Sequence, residues 1–163
     1  MSQRRTSQQA GWVRAAKLPR GPGGRALCRR CAAEVPRGRR TFCGDECVHQ
    51  WKLRSNPAYL RRCCWKRDHG VCAICGVDAG SKQEAAAWVR SWFSNWYRYQ
   101  DFLRAVGWLA DERAGFWQAD HIVPVAEGGG ECGLDNIRTL CRRCHVAETA
   151  ALRSRLARKA GGA

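Results

Sequence analysis

The chain has 163 residues, enough for one compact domain with a smaller satellite. It sets 29 Lys and Arg against 14 Asp and Glu, a formal net charge of +15, which points to a polyanionic partner. No run of about 18 apolar residues occurs, so no membrane partner is expected. The N-terminus MSQRRTSQQAGW also lacks the apolar core of a secretory signal, so an intracellular location is expected.

In chain order, residues 1–26 are polar, basic and punctuated by Gly and Pro, and read as a flexible basic arm. Close cysteine pairs then recur at Cys28 and Cys31, Cys43 and Cys47, Cys72 and Cys75, and Cys141 and Cys144. Each pair puts two sulfurs on one tight turn, and two pairs complete a tetrahedral four-thiolate zinc site. Eleven cysteines in a chain without a secretory signal favour thiolates holding metal over disulfides. Joining Cys28/Cys31 to Cys43/Cys47 closes a loop of 11 residues, and joining Cys72/Cys75 to Cys141/Cys144 closes one of 65. The longer closure costs only about 1.5 kcal/mol more, against on the order of 10 kcal/mol from a structural zinc. Two structural zinc ions held in this local pairing are therefore expected. His49 is a weaker substitute for Cys47. Cys63 and Cys64 read as packing thiols, and Cys132 is left over.

The first pairing defines an N-terminal zinc-binding unit at 27–54, with a helix from about Val48 to Arg54. A second helix opens at about Pro57 and runs to Arg67, and Gly70 ends it. An insertion at about 79–114 is rich in tryptophan. Trp88, Trp92 and Trp96 fall at i, i+4 and i+8, one stripe of a helix. The stripe reads first as a face packed on the zinc core, and otherwise as a stacking platform for unpaired bases. FWQADHIVPV, residues 116–125, reads as a strand, EGGGECGLDN as a turn, IRTLC as a second strand, and about Arg143 to Lys159 as a helix. The expected fold is α+β: a zinc-stabilised hairpin-and-helix core over 55–159 that carries the insertion.

Charge is placed unevenly along these elements. Residues 79–137 carry 5 basic and 8 acidic side chains, while every flanking segment is net basic. Inside that acidic middle, Asp120 and His121 sit side by side on an apolar strand, where burying either unpaired costs several kcal/mol. Either the pair is solvated by accident or something nearby needs it.

Taken together, ADHIVPVAEGGG, LDNIRTL and CRRCH resemble the HNH endonuclease motif, a ββα-metal unit, with spacings of 15 and 9 residues between His121, Asn136 and His145. Upstream, FCGDEC, LRSNPAYLR and DHGVCAIC are similar to the C-terminal nuclease region of annealing helicases that carry a zinc-finger Ran-binding domain. That similarity covers roughly residues 28–150, with a divergent stretch at about 79–114, and includes no helicase motor. The resemblance implies hydrolysis of DNA phosphodiester bonds with one divalent metal ion, Mg²⁺ or Mn²⁺, although zinc also suits the site. His121 would be the general base, since imidazole accepts protons near neutral pH. Asp120 and His145 would hold the ion, and Asn136 would fix the His121 backbone or ring. One site cuts one strand, so a nick in branched or fork-like DNA is the expected product, and a eukaryotic source would place it in the nucleus.

Plainer readings stand beside these. His145 next to Cys144 could be a zinc ligand, Asp120 could bond a turn, Asn136 could simply start a strand, and His69 reads as a capping or packing histidine. At the level of function, the alternatives are a stand-alone site-specific or modification-dependent HNH nuclease, and a non-catalytic zinc-dependent DNA-binding module.

Overall fold

The computed structural model describes residues 13–107, 115–130 and 133–161, so Cys132 and the first half of the predicted arm lie outside the described residues. Contacts divide the chain into two compact units, Met1–Leu60 with Gly130–Asp135, and Arg61–Gly129 with Asn136–Ala163.

The first unit is built on Ala26, Cys28, Val35 and Cys47, with Leu18 and Phe42 packed against them. Leu18 and Ala26 both belong to the predicted flexible arm. Arg20 pairs with Ala26 across a turn closed by the Gly24 N–H donating to the Gly21 carbonyl at 2.9 Å. The described part of the arm is therefore folded, because its two apolar side chains complete a core too small to do without them. Helix α1, Asp45–Ser55, starts three residues earlier than Val48. Asp45 and Glu46 occupy its first turn, where carboxylates complement the helix dipole. The Arg29 guanidinium lies 4.4 Å from the Trp51 ring centroid and covers the side of α1.

Helix α2, Pro57–Asp68, carries the chain across the unit boundary. The second unit then adds α3 (Ala79–Arg90), α4 (Trp96–Ala105), β1 (Trp117–His121), β2 (Ile137–Cys141) and α5 (Arg142–Gly161). β1 and β2 form an antiparallel hairpin in which Trp117 faces Cys141, Asp120 faces Arg138 and His121 faces Ile137. β1 is half the length of the expected strand. Pro124 cannot donate to a ladder, Val125–Glu127 turns as a 3₁₀ helix, and Ile122 and Val123 are left exposed.

The hairpin packs on Cys72, Ala79 and Trp65, with the Trp65 and Trp117 rings 4.5 Å apart. α2 is locked to it by polar contacts. The Asp68 carboxylate accepts from the Thr139 N–H at 2.9 Å, Arg67 donates to the Ile137 carbonyl at 2.6 Å, and Arg61 donates to the Trp117 carbonyl at 3.0 Å. Cys64 is fully buried in this seam, its sulfur 3.4 Å from Thr139 Oγ1.

The Trp-rich insertion differs from the expected single stripe. Asn95 interrupts it, its side chain accepting from the Tyr97 N–H at 2.7 Å to cap α4. The core of the pair α3–α4 is Ala86, Val89, Tyr99 and Leu103 with Phe93 and Phe102, while Trp88, Trp92 and Trp96 are exposed. The packed reading of the stripe is thus corrected: Tyr99 and Leu103 come from α4 and take the buried face.

Candidate active site and metal centres

Two sulfur quartets form where the spacing placed them. Cys28, Cys31, Cys43 and Cys47 make one, and Cys72, Cys75, Cys141 and Cys144 the other, with all ligand atoms of a set within 4.8 Å of one another. Tight turns aim the sulfurs: the Cys28 N–H donates to the Ala33 carbonyl at 2.8 Å, and the Cys72 N–H to the Val77 carbonyl at 2.9 Å. Cys141 ends β2 and Cys144 lies in the first turn of α5, so the hairpin and the following helix enter the second set together. Neither neighbouring histidine joins a set. His49 Nδ1 lies 2.8 Å from the Tyr59 hydroxyl, and the second quartet closes without His145.

Thiol chemistry fits a cation in each quartet. Burial opposes ionisation of Cys28, but backbone N–H groups of Cys31, Arg30 and Cys43 outweigh it and bring its pKa to about 6. Cys72 likewise falls to about 6, burial being outweighed by the backbones of Cys141, Cys75 and Ile74. Their neighbours move the other way. Cys43 is pushed up to about 12 by its contacts with Cys47, Cys31 and Cys28, and Cys144 is raised by burial and by its crowded sulfurs. Each set thus favours one thiolate and opposes ionisation of the second pair's two sulfurs, Cys43 and Cys47 or Cys141 and Cys144, an arrangement that a divalent cation relieves. Either quartet could hold zinc.

Asp120 and His121 both line a cleft of about 170 Å³, together with Glu148, Thr149, Leu152 and Arg155 of α5. Asn136 is placed differently from the expectation. Its carboxamide does not engage His121: Oδ1 accepts from the Val123 N–H at 2.7 Å, and Nδ2 donates to the carbonyls of Val123 at 3.0 Å and Gly129 at 2.9 Å. It clasps the loop that leaves β1, because that loop, once bent at Pro124, presents unpaired backbone groups within reach. Gly129 is required there, since a Cβ would stand 1.7 Å from the Val123 oxygen. His145 projects from the first turn of α5 with Nδ1 buried and without a hydrogen-bond partner. His69 takes a left-handed φ of 51° just before Gly70, at the end of α2, away from the residues that line the cleft.

Sequence reasoning missed Glu148, which lines the cleft, and Arg138, which stands beside Asp120. Arg138 donates to Glu148 at 2.6 Å and reaches Asp120 at 3.5 Å. Strand register was the available signal for Arg138, which lies directly across from Asp120. Glu148 could have been found as the residue one helical turn beyond His145. Glu127 and Arg155, 3.2 Å apart, tie the same loop to α5.

Comparison with known proteins adds the relatives. The family model for HNH endonuclease matches residues 109–151. The DNA annealing helicase and endonuclease ZRANB3 of Mus musculus is 38% identical over 143 residues, 78% of this chain and 13% of the relative. The Homo sapiens protein of the same name is 34% identical over 148 residues, again 78% of this chain and 13% of the relative. The chain thus spans 13% of the length of these curated relatives. The crystal structure of the human ZRANB3 HNH domain, 38% identical, covers 64% of this chain and 97% of its own length at a TM-score of 0.44.

Proposed function

The chain belongs to the HNH endonuclease family, and from that premise we propose that it is a metal-dependent DNA endonuclease that nicks branched or fork-like DNA. The observation that carries this reading is the convergence of Asp120 and His121 on one cleft beside a loop that Asn136 fastens. DNA as substrate draws support from the relatives' name and from the formal charge of +15.

In this reading His121 takes the proton from the attacking water. Asn136 keeps the loop after β1 in one conformation, so that His121 stays at the cleft wall instead of swinging with a free loop. Asp120 and His145 hold one divalent ion, Mg²⁺ or Mn²⁺. The donor types suit such an ion, a carboxylate that lines the cleft and, from outside its lining, a buried imidazole nitrogen that has no other partner. When bound, such an ion supplies charge neutralisation at the scissile phosphate and the leaving 3′ oxygen. The products are a 5′-phosphate and a 3′-hydroxyl. The two quartets hold structural zinc, and the source cell's nucleus is the proposed location.

One observation favours a second reading, a non-catalytic zinc-dependent DNA-binding module. Arg138 already offers Asp120 a cation at 3.5 Å, where a catalytic ion needs that carboxylate. A nuclease assay on duplex, single strand, splayed fork and plasmid, with Mg²⁺ or Mn²⁺, separates the two. Wild type should cut, and His121→Ala should lose at least about 100-fold in rate while keeping DNA affinity. Cleavage by the variant at the wild-type rate sinks the assignment of the base. Binding without cleavage by wild type in either metal establishes the module.

A further inference from the structure

Among the described residues the aromatics of the insertion pack only in part: Trp96 lies 5.5 Å from Tyr99 and Trp88 4.4 Å from Trp92, centroid to centroid. Trp88, Trp92 and Tyr97 are 64%, 61% and 78% exposed, and Trp96 is 43% exposed. Aromatic side chains are the ones whose burial stabilises a core most, yet here four of them face outward within ten residues of chain. They are not remnants of an unfilled core, because Ala86, Val89, Tyr99 and Leu103 already supply it.

We propose that Trp88, Trp92, Trp96 and Tyr97 form a stacking site for the unpaired bases of single-stranded DNA. Three observations point to that ligand. Trp88 and Trp92 meet edge to face, ring centroids 4.4 Å apart at 69°, which leaves ring surface open to a flat partner. The two helices that carry the rings are net basic: residues 79–107 contain Lys82, Arg90, Arg98 and Arg104 against Glu84 and Asp101. Arg90 sits 5.4 Å from the Trp96 centroid, a guanidinium beside a ring face where a phosphodiester would pass. The turn is also preformed. The Trp92 N–H donates to the Val89 carbonyl at 3.0 Å, the Ser91 hydroxyl to the Trp88 carbonyl at 2.7 Å, and Asn95 caps α4. Duplex bases hide their faces from such a platform, so the site selects unpaired DNA.

This inference deepens the nuclease reading by naming the feature of a fork that the protein would hold, and rests on DNA being the substrate. Its test uses the full zinc-loaded chain without added Mg²⁺ or Mn²⁺. Anisotropy of fluorescein-labelled dT15, a matched duplex and U15 is measured for wild type, Trp88→Ala/Trp92→Ala and Trp88→Phe/Trp92→Phe. The alanine pair should weaken dT15 binding about tenfold or more, leave duplex affinity unchanged, and melt as wild type does. The phenylalanine pair should recover most of the affinity. In wild type, dT15 should protect tryptophan fluorescence from acrylamide quenching, a readout that needs no variant to fold. Unchanged dT15 affinity in the alanine pair, or absent protection, overturns the proposal. So does loss of a concentration-dependent dimer in its place, which would make the rings a contact between copies. Equal or tighter binding of U15 would shift the ligand from DNA to RNA and overturn it as stated. Tryptophan-dependent dT15 binding without nuclease activity would leave this site standing and refute the nuclease. Cleavage with tryptophan-independent binding would do the reverse.

Discussion

Asn136 makes three hydrogen bonds to the backbone of the loop after β1, and Gly129 leaves no room for a Cβ beneath it. Asn136→Ala should therefore slow cleavage on the order of 100-fold by misplacing His121, with DNA affinity and zinc content kept. Single-turnover rates beside metal analysis check this. Asp68 carries a different load. Burial raises its pKa, but hydrogen bonds from Arg67 and Thr139 outweigh that and hold it at about 2. Its carboxylate therefore stabilises the hairpin fully above about pH 4, the unfolded value, and that contribution is lost as pH falls toward 2. Asp68→Asn should cost about 2 kcal/mol at neutral pH, and the wild-type advantage in urea melts should shrink at acid pH. An advantage that stays constant with pH would refute the linkage.

Among the elements, the metal quartets and the β-β-α order were legible because cysteine spacing and alternation are local signals. Helix α5 runs Arg142–Gly161 against an expected Arg143–Lys159, and β2 matches IRTLC. What local patterns could not carry was competition between elements. FWQADHIVPV looks like one long strand, but β1 stops at His121 because Asn136, fifteen residues away, captures the loop beyond it. The tryptophan stripe looks buried, but α4 folds back with Tyr99 and Leu103 and fills the groove first. Arg138 and Glu148 were illegible as a pair until strand and helix met. At this scale the second quartet is decisive, since β2 and α5 both end or begin in it. Cys141→Ser should abolish cooperative melting of the second unit and reduce bound zinc from about two equivalents to one. A folded variant that keeps both ions would show that the sulfurs are paired otherwise.

For the molecule as a whole, basic charge dominates, with 29 Lys and Arg spread over both units. Binding to duplex DNA should weaken by about 1,000-fold or more between 50 and 200 mM salt if six or more phosphates are neutralised, and fluorescence titrations at four salt concentrations check the slope. The tryptophan site should respond less, because stacking releases no counterions. The Cys72–Cys144 quartet has one more consequence. It draws two sulfurs from before the insertion and two from after it, so the quartet brackets the chain between Asp78 and Phe116. That span is a cassette. A segment of different length could be spliced there at the modest entropic cost of a longer loop, with the four sulfurs of the quartet left in place.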